Sequence, residues 1–111
     1  MAAQDRATQI AELNDQFRTT GQGGRTVMTL GVQALGPGFI SRAITALRQF
    51  TDFNEDNDPH GEHDFGAFEV EGHRLFFKID YYAADLQHGS EDPTDSSKTS
   101  RILTLMLPEE Y

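Results

Sequence analysis

The stretch from His73 to Tyr82 alternates with a period of two, and that pattern fits a half-buried strand, not a helix. Leu75, Phe77, Ile79 and Tyr81 fall on one face, and Arg74, Phe76, Lys78, Asp80 and Tyr82 on the other. The first set reads as core. The second mixes charge with aromatic rings and is expected to stay partly exposed, because a buried Lys78 or Asp80 would demand a partner. Those two side chains share a face and can pair with each other. Phe68-Glu69-Val70 precedes the strand and Glu71-Gly72 supplies a tight turn, so a hairpin organises the second half of the chain. Tyr81 and Tyr82 add two amphipathic rings of a kind enriched at interfaces.

The flanking segments supply the remaining elements. Residues 4–19 carry Ala7, Ile10, Leu13 and Phe17 on one helical stripe, and Gly21 is placed to take a left-handed cap. Gly21-Gln22-Gly23-Gly24 then reads as a helix-to-strand turn; it lacks the Gly-Lys-Ser/Thr ending of a phosphate-cradling loop. Arg25 to Val32 reads as a strand. Pro37 suits the first turn of a second helix, whose Ile40, Ala43, Ile44 and Leu47 share one face between Phe39 and Phe50. Ala83 to Thr99 is a long polar connection, Ile102 to Leu107 a final buried strand, and Pro108 its stop. The expected fold is one α+β domain over residues 1–111, in the order α-β-α-β-β-β, with two helices packed on one face of an antiparallel sheet.

Charge divides the chain unevenly. Residues 1–50 hold three acids against five arginines, a balance of +2, whereas residues 51–111 hold fifteen acids against four bases, a balance of −11. Between Arg48 and Arg74 stand eight acids and no Lys or Arg. Such a field repels a phosphate backbone, so direct nucleic-acid binding through this half is not expected. It attracts a basic protein or a cation; the plain alternative is that it serves solubility. No apolar run spans a bilayer and no signal-peptide pattern is present, so no membrane contact is expected. The chain has no cysteine, which excludes disulfides, thiol catalysis and cysteine-bound zinc and agrees with a cytoplasmic location.

Chemistry is most concentrated between Asn54 and Phe68, where carboxylates and carboxamides crowd around His60 and His63. Asp56, Asp58, His60, Gly61 and Asp64 follow a calcium-loop rhythm, but Pro59 stiffens the interior and Ala67 stands where a bidentate Glu is required. A zinc cluster of His60, His63 and Asp64, completed by Asp80 or His88, is one alternative. His63 with Asp64 or Asp80 as an acid–base pair is another. In the structural reading, the side chains of Asn54, Asp56, Asn57 and Asp58 hydrogen-bond nearby backbone and His63 or Asp64 anchors the loop. The serines lie in no nucleophile-elbow context, and no motif calls for a cofactor.

Three segments carry a family resemblance. They run from Leu13 to Gly24, from Asn57 to Gly66, and from Lys78 to Tyr82 with Leu86 to Ser90, joined by the closing Leu103 to Leu107 and Glu109-Glu110-Tyr111. Together they resemble a bacterial family classed as a domain of unknown function, number 3768. The resemblance implies an accessory protein of plasmids and other mobile elements, near anti-restriction and partition genes. It implies no activity, fold or site. The combined expectation is an acidic, non-enzymatic interaction protein, a counter-defence factor that binds a basic DNA-binding protein. Its expected binding residues are Asp56, Asp58, Glu62, His63, Asp64, Lys78, Asp80 and Tyr82. The alternative is a small metal-dependent or acid–base enzyme built on the Asp/His loop.

Overall fold

The computed structural model describes residues 5–111; Gln4, the first residue of the expected opening helix, lies outside them. The order is α1 (Arg6–Thr20), β1 (Arg25–Met28), α2 (Leu30–Gln33), α3 (Pro37–Gln49), β2 (Phe65–Val70), β3 (His73–Tyr82) and β4 (Ser100–Met106), with short 3-10 turns at Ser96–Lys98 and Pro108–Glu110. The fold is α+β.

Local chemistry sets the helix ends. Asp5 caps α1 by accepting the Thr8 N–H at 2.8 Å, and Gly21 ends it at φ 78° while its N–H bonds Phe17 O. Pro37 occupies the first turn of α3. The hairpin turns through Glu71 (φ 52°) and Gly72 (φ 82°), the pair of positive φ values of a type I′ turn that matches strand twist.

The sheet corrects the expected antiparallel arrangement. Its strand order is β1-β4-β3-β2; β2–β3 and β3–β4 are antiparallel, but β1 lies parallel to β4, with Thr26 opposite Leu103 and Met28 opposite Leu105. A long crossover through α2, α3 and the hairpin separates β1 from β4, as a parallel pair requires. The first strand is also shorter than expected. It stops at Met28, and Leu30–Gln33 form a helical turn where a strand was anticipated. Glu110 holds that turn: one carboxylate oxygen accepts the Thr29 hydroxyl at 2.6 Å and the Leu107 N–H at 3.0 Å, and the other accepts the Gly31 N–H at 3.0 Å. This anchor lies 81 residues from Thr29 and overrides the β-propensity of the local run.

Helices α1 and α3 cover one sheet face. The core gathers Phe17, Phe39, Ala43 and Leu47 against Leu75, Phe77, Ile79, Leu103 and Leu105, the inward set of β3 and its β4 partners. Gly66 lets β2 approach this layer, since a Cβ there would stand 2.7 Å from the rings of Phe50 and Phe77. The opposite face carries the aromatic and charged set. Tyr111 covers part of it, edge-on to Phe65 and Phe76.

Candidate functional site

The loop between α3 and β2 is built from its own side chains. The Asn54 side-chain oxygen accepts the Asp56 and Asn57 N–H groups at 2.9 and 3.2 Å, and Asn57 returns the contact to Asn54 N at 3.0 Å. Asp58 is buried and one of its oxygens accepts the backbone N–H of both Glu62 and His63, at 3.0 and 3.1 Å. These are the Asx-type contacts that the residue types favour. His63 takes a positive φ of 57°. Its ring stacks on Phe53 at 4.0 Å, its Nδ1 lies 2.9 Å from Asp15, and its Nε2 lies 3.7 Å from Asp58. His63 thus ties the loop to α1. The Asp64 backbone oxygen continues the tie by accepting Ile79 N–H.

Beneath this loop lies a buried polar network. Asn14, fully buried on α1, donates to Glu62 O at 2.9 Å and to the Tyr81 hydroxyl at 2.8 Å. Tyr81 donates in turn to the Glu62 carboxylate at 2.9 Å. Burial pushes the Tyr81 hydroxyl well above the ordinary phenol range, so it stays a donor. Arg101 reaches across from β4 and donates through Nε to Asn14 Oδ1 at 2.9 Å. Burial, followed by the Glu62 charge, raises the Asp64 carboxyl above its ordinary range. Arg18, also buried, donates to Leu47 O at 2.9 Å, pairs with Asp15 at 3.2 Å and lies over the Phe53 and Phe77 rings.

The expected site residues therefore separate. Asp58, Glu62, His63 and Asp64 belong to the loop and its anchor. Lys78 and Asp80 pair at 3.2 Å on the opposite sheet face, with Tyr82 on the same face. His63 reaches Asp15 and Asp58 rather than Asp64 or Asp80. His60 is exposed. Among the described residues, no group of three or more His, Cys, Asp or Glu is placed to hold a metal ion.

Asp56 lies elsewhere again. It lines, with Asp52, Phe65, Phe76 and Arg74, an open cleft of about 410 Å³ between the loop and the outer sheet face. Of the eight acids between Arg48 and Arg74, only Glu71 meets a Lys or Arg among the described residues, pairing with Arg42. Among the described residues the other seven meet no Lys or Arg, and Asp58 has His63 at 3.7 Å.

Sequence periodicity held a signal for the polar network. Ile10, Asn14, Phe17 and Arg18 follow one another at helical spacing, and all four are buried. Two polar residues on an apolar stripe mark a buried contact, although the partners of Asn14 lie 48, 67 and 87 residues away.

A family model described as a protein of unknown function, DUF3768, matches residues 28–110. No curated protein and no solved structure matches the chain. Among the described residues, no helix is long and apolar enough to cross a membrane.

Proposed function

We propose that this chain, which belongs to the DUF3768 family, is an acidic, non-enzymatic interaction protein that receives a basic partner in the cleft beside the Asn54–Asn57 turn. The observation that carries this reading is the uncompensated charge of that region. Asp52 and Asp56 are exposed at the cleft, and neither meets a Lys or Arg. Phe65 and Phe76 supply apolar walls, and Arg74 already lies over the Phe76 ring at 5.8 Å. A cleft that seats the chain's own guanidinium on an aromatic face has the chemistry to seat a partner's. Negative potential over the loop speeds encounter with a basic surface and selects against an acidic one.

A DNA-binding protein is the partner class with the most concentrated positive surface. In a mobile-element setting, the role is counter-defence: carboxylates engage the DNA-binding groove of a host nuclease. The geometry around His63 favours this reading over an acid–base enzyme, because one ring nitrogen is taken up by Asp15, which ties the loop to α1, and the other faces Asp58 within the loop.

The test is titration of the full chain with an arginine-rich peptide at low and at physiological salt, repeated with the Asp52→Asn, Asp56→Asn double variant. Binding is expected to weaken with salt and to fall about tenfold in the variant. Equal affinity for both proteins, or binding indifferent to salt, overturns the assignment.

A further inference from the structure

Arg101 is only 3% exposed, yet it forms no ion pair among the described residues. Its hydrogen bonds go to neutral acceptors: Nε to Asn14 Oδ1, and one terminal nitrogen to Pro93 O. No described residue accepts from the other terminal nitrogen. The Tyr81 ring lies 5.4 Å from the guanidinium carbon. A buried guanidinium is ordinarily matched by a carboxylate, because desolvating an unpaired charge costs several kcal/mol. This chain has eighteen acids from which to draw one.

Two cavities meet at this residue, sharing Arg101 and Gly23, with volumes of about 370 and 300 Å³. Neither is lined by an acid. The smaller is walled by Leu13, Gln16, Gln22, Gly23, Ser96 and Arg101, so two side-chain amides and a hydroxyl stand around the arginine with one apolar side chain. Arg25 lines the larger cavity, together with the hydroxyls of Thr99 and Ser100. Donors and positive charge therefore converge on cavity walls that carry no acid, and the nearby carboxylate, Glu62, is taken up by Tyr81.

We propose that the cavity between α1, the Gly21–Gly24 turn and the Ser96 turn is a binding site for a small oxyanion, with Arg101 as its charged anchor. The ligand class is a phosphate ester or carboxylic acid of a few carbons. The planar guanidinium suits either group, and the cavity lies at the small end of the range for ligand pockets. Gln16, Gln22 and Ser96 supply neutral donors for the remaining oxygens. The ligand provides the direct ion pair that Arg101 lacks among the described residues, since Glu62 contacts it only through Tyr81 and Asn14. This site is independent of the acidic cleft and stands or falls apart from it.

The test uses the full chain and three probes at matched ionic strength: inorganic phosphate, acetate and chloride, followed by calorimetry and by the melting temperature. Saturable binding of phosphate identifies the ester class and saturable binding of acetate the carboxylic acid class, with chloride inactive in both cases. Gln16→Glu places a carboxylate in the cavity wall and is expected to weaken oxyanion binding about tenfold while the melting temperature holds or rises. Arg101→Gln is expected to abolish binding; should it fail to fold, Gln16→Glu still decides. Absence of saturable binding by both oxyanions, or unchanged affinity in Gln16→Glu, overturns the proposal.

Discussion

Arg18 and Arg101 are both buried and both reach α1 side chains, but their surroundings differ in kind. Arg18 has a carboxylate, a backbone carbonyl and two aromatic faces around it, and the same carboxylate also meets His63. Arg101 has an amide oxygen, a carbonyl and one ring, with cavities on its flanks. Paired through its terminal nitrogens, the first arginine holds α1 to α3, although its Nε is buried without a partner. The second is held in place without being neutralised. The two differ in their ion pairing rather than in hydrogen bonding alone: Arg18 has a carboxylate partner and Arg101 has none among the described residues, and the cavity beside Arg101 is where a use for that charge is proposed. Glu62, the loop acid nearest to it, is bound by Tyr81, and other acids line the cleft beside Phe76.

The most severe way to break this contrast is Asn14→Leu. The change removes the acceptor of Arg101 Nε and the donor to both Tyr81 and Glu62, leaving a buried cation with one hydrogen bond fewer. It is expected to cost about 3 to 5 kcal/mol in denaturant unfolding. A loss below about 1 kcal/mol would mean that Arg101 is held by something other than this network. Arg18→Met keeps the volume of the paired arginine but loses the bonds to Leu47 and Asp15. The expected cost is about 2 kcal/mol, smaller because Asp15 retains His63. A cost as large as that of Asn14→Leu would erase the difference between the two regions.

The smallest effect is one that fades as pH falls. Asp64 is raised above its ordinary range chiefly by burial, so its neutral form suits the fold and its ionised form does not. Stability from that preference is present at low pH and is lost as pH climbs through the raised value. Asp64→Asn keeps a neutral side chain at every pH. The variant is expected to be slightly more stable than the parent at pH 7 and to lose that advantage near about pH 4. Melting temperatures at the two pH values check it, and a variant less stable at pH 7 would show that the carboxylate is held in its charged form.

Much of the fold was legible because it rests on local pattern. The alternation through β3 placed Leu75, Phe77 and Ile79 in the core and Lys78 beside Asp80, and Glu71-Gly72 turned as such a pair turns. The side-chain turns of Asn54, Asn57 and Asp58 follow from residue type. What escaped was set by distant partners. The parallel pairing of β1 with β4 joins segments separated by the whole middle of the chain, and α2 depends on Glu110. The candidate site divided for the same reason. Sequence proximity put His63 next to Asp64, whereas the fold put it against Asp15, and no spacing within residues 54–68 carries that information. Arg101, the charge around which the oxyanion proposal turns, precedes the Ile102 to Leu107 run, and nothing local to it marks its burial.

The most direct measurement is an amide NMR titration of the full chain with two ligands in turn, an arginine-rich peptide and inorganic phosphate. Segregated charge predicts two separate sets of shifted resonances: residues 52–57 and 65–76 with the peptide, and residues 22–24 and 96–102 with phosphate. Both ligands moving one shared set, or neither moving a localised set, would contradict it.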